Sequence, residues 1–375
     1  MTRKNENNLN LSIENEIELF RKLKILHPKM KRLITRLNAL INQPGGNEII
    51  ILMGPSGVGK STLIQELRRG IINNSIEELE ENRSKLPLVA VELVSPDNGL
   101  FNWKDFYIRI LEEVNEPLIH KKVIYETPHE KKLNNRKFAN HNPRTAPELR
   151  RSVENAFYYR DPKIFIIDEA QHFTKMASGK RYTDQLDTLK SLSNLTKVPQ
   201  LLVGTYQLKE FVNLNGQLAR RTMDLHFPRY DFNIKKDIYD FIGIVQSLLE
   251  KIPLKVSTEI IEQYEFLYER TLGCVGILKD WLVRALKVSL EERSNMFTFN
   301  HLKRTALSIN KISTLLDEII LGESLFIEKE ETINEVKSKL GLTAKNPSSN
   351  MKSSQMNVGV RKAARDSVGL GSYED

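Results

Sequence analysis

The chain has 375 residues, 40% of them hydrophobic and 28% charged, which excludes a wholly disordered polypeptide and a coiled-coil or collagen-like rod and leaves room for about two domains. Fifty-six Lys and Arg against 48 Asp and Glu leave a net charge of +8, permissive of nucleic-acid binding without specifying it. A single cysteine, Cys274, excludes a disulfide framework and a cysteine-based zinc site, and no apolar run approaches the roughly 18–20 residues of a membrane span, so the expectation is a reduced, soluble, cytoplasmic protein with no membrane partner.

Residues 1–16, rich in Asn and Glu, are expected to be disordered or to serve interactions. From Ile17 to Ile41 apolar residues recur at helical spacing, and His27-Pro28 divides them into two helices. Gln43-Pro44-Gly45-Gly46 is a turn, and Glu48–Met53 reads as a buried strand, too short and too β-branched for a helix. A helix from Ser61 to Asn73, a strand from Leu88 to Leu93 and a helix from Trp103 to Val114 follow. Residues 115–147 form a long solvated excursion, and between His120 and Arg151 nine Lys and Arg face three Glu. Strands are expected at Lys163–Ile167, Gln200–Gly204 and Met223–Phe227. Strands alternating with helices argue for an α/β fold, a parallel five-stranded sheet covered on both faces. Beyond Asp231 the pattern is helical, with stretches at 238–249, 258–268, 276–290 and 298–309 and no convincing strand, a small all-α lid domain. The expected organisation is an N-terminal helical or interaction segment (1–45), a nucleotide-binding α/β domain (46–232), the helical lid (233–322) and a largely flexible C-terminal extension (323–375).

Gly54-Pro55-Ser56-Gly57-Val58-Gly59-Lys60-Ser61 satisfies the phosphate-loop pattern in full and lies between a predicted strand and a predicted helix. Small residues let successive backbone N–H groups curl around an anion, and the helix N-terminus adds its dipole. In this pattern Lys60 neutralises phosphate charge, the Ser61 hydroxyl ligates Mg²⁺, and Thr62 completes the binding segment. Ile164 to Ile167 followed by Asp168-Glu169 is an apolar strand ending in two carboxylates, placing Asp168 for the Mg²⁺ shell and Glu169 as general base for the attacking water. No guanine-reading Asn-Lys-x-Asp motif occurs, so ATP is the expected nucleotide. His172, in Asp168-Glu-Ala-Gln-His172, is structural or senses γ-phosphate. Thr205, with Tyr206 and Gln207 beside it, ends the fourth strand where nucleotide state can be reported. The Arg220-Arg221 pair can reach the γ-phosphate of a neighbouring subunit, the choice between the two staying open. Lys279 or Arg284 of the lid is a candidate second sensor. Lys121, Lys122, Lys131, Lys132, Arg136, Lys137, Arg144, Arg150 and Arg151 are candidate duplex-DNA contacts, sequence-tolerant because no base-reading motif accompanies them.

Together the phosphate loop, the Asp168-Glu169 strand end and the Val-Gly-Thr205 strand before an Arg pair resemble the AAA+ superfamily of P-loop NTPases. His27-Pro-Lys-Met-Lys-Arg32, Ile-Ile-Asp168-Glu-Ala-Gln-His172 and the Gly273-Cys-Val-Gly276 helix start are similar, in combination, to the TniB/TnsC family of transposition regulators from bacterial mobile elements. That resemblance, over residues 17–310, implies an ATP hydrolase that assembles into a ring or helical filament on duplex DNA. It further implies partners, a transposase and a TniQ-type target selector, and disassembly on hydrolysis. Where that family often carries an Arg after Gly-x-x-Gly, this chain has Ile277, which shifts any second-sensor role to Lys279 or removes it. The alternative reading is a signalling or defence ATPase of the AAA+/STAND kind without a direct DNA role.

Overall fold

A computed structural model describes residues 13–43, 49–95, 101–117, 119, 145–174, 180–209 and 222–342. It divides into two units, Met1–Ile327 and Glu328–Asp375.

The first unit begins with helix α1 (residues 13–22) and helix α2 (Pro28–Asn42). Pro28 occupies the first turn of α2, where its missing N–H has no partner to lose, and His27 before it is extended. Five strands follow: β1 (Ile49–Met53), β2 (Val89–Glu92), β3 (Phe165–Asp168), β4 (Gln200–Gly204) and β5 (Thr222–His226). They form one sheet in the order β2-β3-β4-β1-β5, every neighbouring pair parallel. Among the described residues, the helices between them are α3 (Lys60–Asn73), α4 (Ile76–Glu81), α5 (Trp103–Glu113), α6 (Ala146–Arg160) and α7 (Lys180–Thr196).

The period of two along each strand sorts its side chains between two cores. Ile50, Leu52, Ile166, Leu201, Val203 and Leu225 join Leu33 and Leu37 of α2 and Leu63 and Leu67 of α3. Ile49, Ile51, Val89, Val91, Phe165, Ile167 and Leu202 instead meet Ile110 of α5, Val153 and Phe157 of α6, and Leu189 and Leu192 of α7. β1 and β4 are buried along their whole length. Each such Ile or Leu contributes about 1.5–3 kcal/mol by leaving water. That burial explains why the run from Ile49 to Met53 carries no polar residue at all. Register places Met53 beside Gly204 on one side and His226 on the other, so the strand ends share one edge of the sheet. Loops at that carboxyl edge are where parallel sheets bind ligands.

Beyond Tyr230 the chain forms α8 (Lys235–Leu249), α9 (Glu259–Glu262), α10 (Tyr264–Thr271), α11 (Val275–Glu291), α12 (Phe299–Thr305) and α13 (Ile309–Ser324). Trp281 centres their core, 1% exposed, its indole N–H donating to the Leu302 carbonyl at 3.0 Å. Two details correct the sequence reading. This helical region contains a parallel pair of two-residue strands, β6 (Lys255–Val256) and β7 (Met296–Phe297); elements so short display no alternation. The helix expected over 298–309 ends at Thr305, and α13 starts afresh at Ile309. In the second unit, residues 330–339 form helix α14 (Glu330–Lys339), with acids in its first turn and lysines in its last, the polarity the helix dipole favours.

Candidate functional site

The loop after β1 is built by close approaches that only glycine permits. Gly54 donates its N–H to the Gly204 carbonyl at 3.3 Å, and a side chain there would meet the Phe227 carbonyl at 2.6 Å. Gly57 and Gly59 have φ of 74° and 114°, the left-handed region that curls the loop back on itself. Gly59 caps α3 without a side chain, and no acid lies in the helix's first turn, so the first amides of α3 remain available to an anion. Pro55 and Val58 are buried, whereas Ser56 and Ser61 are exposed and Thr62 is half-buried.

Lys60 is buried, 9% exposed, and its ammonium donates to the Gly54 and Pro55 carbonyls, each at 2.9 Å. Burial lowers its pKa, and the charges of Glu169 and Asp168 oppose that shift, so both carboxylates act on this one ammonium. Asp168 is pushed up to about 6, first by burial; the Glu169 N–H, donating to Asp168 Oδ1 at 2.9 Å, works against the shift, Glu169 and Glu92 reinforce it, and Lys60 opposes it. Glu92 reaches this cluster through register, pairing with Asp168 across β2 and β3. An acid crowded by burial and by two other acids fits a divalent cation, whose charge would relieve both costs. Glu169 itself sits at φ 53°, an uncommon conformation for a side chain of its size.

Gln171, in the 3₁₀ turn Ala170–Thr174, connects the acidic strand end to β4. Its Nε2 donates to Glu169 Oε2, and its Oε1 accepts from the Thr205 N–H at 3.2 Å. The Thr205 hydroxyl is buried and has no hydrogen-bond partner among the described residues. Such an orphan costs about 1–3 kcal/mol unless a ligand completes it, which fits a phosphate oxygen or water at this spot. His172 lies in the same turn, its N–H bonded to the Glu169 carbonyl.

The lid reaches the loop directly. Gly276, in the first turn of α11, donates its N–H to the Gly57 carbonyl at 2.7 Å. Ile277 lies against Gly57, 2.6 Å from where a Cβ would stand. Lys279 is not brought to the loop: its ammonium donates to the carbonyls of Arg21 (2.6 Å) and Leu23, binding the exit of α1. Tyr206 is likewise committed to packing. Its hydroxyl meets His226 Nε2 at 2.9 Å, its ring abuts Gly322 of α13, and Phe326 stacks on His226 at 4.3 Å. A cavity of about 310 Å³ lies between Pro55, Ser56 and Thr205 on one wall and Leu315, Ile319 and Leu325 on the other.

The His27-Pro28 lead-in packs at the junction between the sheet and the helices beyond Tyr230. His27 Nδ1 meets the Tyr230 hydroxyl at 2.9 Å, its ring stacks on Phe227, and burial lowers its pKa to about 4. Lys29, also buried, donates to Asp237 Oδ2 at 2.5 Å and to the Arg229 carbonyl at 2.6 Å. Of the proposed DNA contacts, Arg150 is engaged internally, with Glu154 at 2.9 Å and Ser191 at 2.7 Å, while Arg151 is exposed. Lys121, Lys122, Lys131, Lys132, Arg136, Lys137 and Arg144 lie outside the described residues, as do Arg220 and Arg221. The sequence reading assigned no role to Glu92 or Gln171: Glu92 meets Asp168 only through strand register, and Gln171, though it stands in the Asp168–His172 string two residues from Glu169, also bonds Thr205, 34 residues away.

Residues 43–212 match the family model described as an AAA domain. Over those residues the chain matches an AAA domain, and its five-stranded parallel sheet with flanking helices is the AAA+ P-loop NTPase fold. Among solved structures, the ORC2 protein of Aeropyrum pernix is similar at 12% identity over 77% of this chain and 71% of its own, with a TM-score of 0.49. The ORC1 protein of the same organism, in complex with DNA, is similar at 16% identity over 76% of this chain and 65% of its own, TM-score 0.47. A Walker-type ATPase of Pyrococcus abyssi is similar at 16% identity over 82% and 75%, TM-score 0.43. No curated protein sequence matches this chain.

Proposed function

We propose that the chain binds ATP with Mg²⁺ at the loop Gly54–Thr62 and hydrolyses it to ADP and phosphate. The observation that carries this reading is the convergence of one buried ammonium, two carboxylates and one orphaned hydroxyl, from Lys60, Asp168, Glu169 and Thr205, on a loop with uncapped helix amides. Gly54, Pro55, Ser56, Gly57, Val58 and Gly59 supply the backbone cradle. Lys60 exchanges its two loop carbonyls for phosphate oxygens, Ser61 and Asp168 hold the cation, and Thr205 donates its hydroxyl to the terminal phosphate or the attacking water. When bound, Mg²⁺ neutralises charge developing on the phosphate oxygens. Glu169 takes the proton of the attacking water on a carboxylate oxygen. Arg220 or Arg221 supplies charge to a neighbouring protomer's site.

The sequence likeness to TniB/TnsC supports a finer reading: an ATP-dependent regulator of transposition in bacterial cytoplasm. On it the chain assembles as a ring or filament on duplex DNA, links a TniQ-type selector to a transposase, and lets go after hydrolysis. The basic stretch from Lys121 to Arg144, with Arg151, supports sequence-tolerant contact with phosphates. Lys279 has no part in it, since its ammonium is spent on α1.

Titration of a fluorescent ATP analogue with Mg²⁺ tests the core of the proposal: the unsubstituted chain binds, Lys60→Ala loses at least about tenfold in affinity, as removal of a charged hydrogen-bond donor predicts, and Glu169→Gln binds but does not turn over. Equal affinity for Lys60→Ala and the unsubstituted protein refutes it. Duplex-DNA affinity measured at two salt concentrations tests the finer reading, which fails if salt has no effect or if one DNA sequence is strictly required.

A further inference from the structure

Gln171 is almost wholly buried, 7% exposed, and its amide joins two groups of the site. The orientation of that amide is fixed by chemistry: a backbone N–H can only donate and an ionised carboxylate can only accept, so Oε1 must face Thr205 and Nε2 must face Glu169. Gly204 makes room for the same group, since a Cβ there would stand 2.3 Å from Gln171 Oε1 and 3.2 Å from the Gln171 backbone nitrogen. Neither bond is demanded by the fold. β3 and β4 are already paired through their own backbones, and a buried amide satisfied by any two partners would serve packing equally well.

We propose that Gln171 is a positioning residue for hydrolysis: it commits Glu169 Oε2, leaves Oε1 to face water, and ties the direction of the carboxylate to the end of β4. This rests on the reading of Glu169 as the water-activating group. Because one planar amide holds both partners, a displacement of the Thr205 segment is passed to Glu169 without an intervening rotamer. Thr205, whose own hydroxyl is left for a ligand, is thus coupled through its N–H to the carboxylate that does the chemistry. Glu169's left-handed backbone already restricts where that carboxylate can point, and Gln171 removes the remaining freedom.

The test uses the full chain with Gln171→Met, which keeps length and burial but neither donates to a carboxylate nor accepts strongly from an amide. We expect kcat for ATP to fall about 10–100-fold, the usual cost of a catalytic group displaced by about 1 Å, while KM and the dissociation constant for Mg-ADP change less than about twofold, since binding groups are left in place. Combining Gln171→Met with Glu169→Ala should lose no more than Glu169→Ala alone, because the first acts through the second. In the nucleotide-free protein, hydrogen exchange at the Thr205 amide should accelerate in Gln171→Met, independent of any turnover. Should the apolar variant fail to fold, Gln171→Glu keeps the shape and the acceptor facing the Thr205 N–H but replaces the donor to Glu169 by like charge, and is read by kcat, by KM and Mg-ADP affinity, and by combination with Glu169→Ala. An unchanged kcat, or a loss that adds to that of Glu169→Ala, overturns the proposal. Failure of the unsubstituted chain to bind nucleotide overturns the reading of the site beneath it, and the two failures are told apart by that first titration.

Discussion

Gly276→Ala probes how the lid and the phosphate loop are fitted together. In the structure a Cβ at 276 would stand 2.4 Å from the Gly57 carbonyl oxygen and 3.0 Å from its carbon, both backbone atoms that cannot rotate away. Ordinary contact begins near 3.4 Å, so α11 and the loop must part by about 1 Å. That separation also breaks the 2.7 Å bond from Gly276 N–H to the Gly57 carbonyl. Overpacking costs about 1–3 kcal/mol and the bond about 1 kcal/mol, partly offset by up to about 1 kcal/mol from alanine's better helix propensity. The net is a destabilisation of about 1–3 kcal/mol, with nucleotide affinity falling about 5–100-fold because the displaced loop must be drawn back to bind. Gly70→Ala is the matched control, since a Cβ there meets nothing within 4 Å on α3; it should be neutral or stabilising by up to about 1 kcal/mol. Thermal melts with and without Mg-ATP, and a titration of each variant, make the comparison. A Gly276→Ala protein that melts and binds like the original would refute the claim that the lid depends on this approach.

The contacts around His27, Lys29 and Asp237 offer two further tests. Lys29→Met leaves Asp237 buried beside a group that no longer neutralises it, a loss of about 3–5 kcal/mol in urea unfolding. Adding Asp237→Leu should recover only part of that, because Asp237 Oδ2 also accepts the Asp231 N–H at 2.9 Å and leucine cannot. Acid pH is the second test. Burial lowers His27 and His226 from 6.5 to about 4, so the folded chain binds fewer protons than the unfolded chain between those values. Stability from these groups is therefore complete above about pH 6.5 and is lost as pH falls towards 4. His27→Phe should flatten the fall in urea midpoint across that window relative to the original protein; an identical slope would show that His27 is not held neutral by its surroundings.

Much of the site is legible without coordinates because it is local in the chain. The loop from Gly54 to Ser61 is contiguous, and its glycine spacing follows from the curl of one short backbone segment. Asp168 and Glu169 are legible for a similar reason, since a fully apolar strand must end in the polar residues it delivers to the sheet edge. Lys279 shows where such reading stops. Its position three residues beyond Gly276 invites a role at the nucleotide, but the side chain is claimed by carbonyls of residues 21 and 23, a contact no spacing rule contains. Arg150 is a similar case, a basic residue in a basic stretch whose charge is used to join α6 to α7.

What the sequence determined by itself was the parallel α/β core, the glycine curl after its first strand and the placing of two acids at a strand end, because burial period and backbone sterics act over a few residues at a time. Tertiary structure alone decided the strand order that inserts β4 between β1 and β3, and with it the meeting of Thr205 with the local pair Gln171 and Glu169. It also decided that Gly276 touches Gly57 and that Glu92 crowds Asp168. These are contacts across the sheet or between loop and lid, set by which surfaces exclude water together, and that choice is made by the whole chain at once.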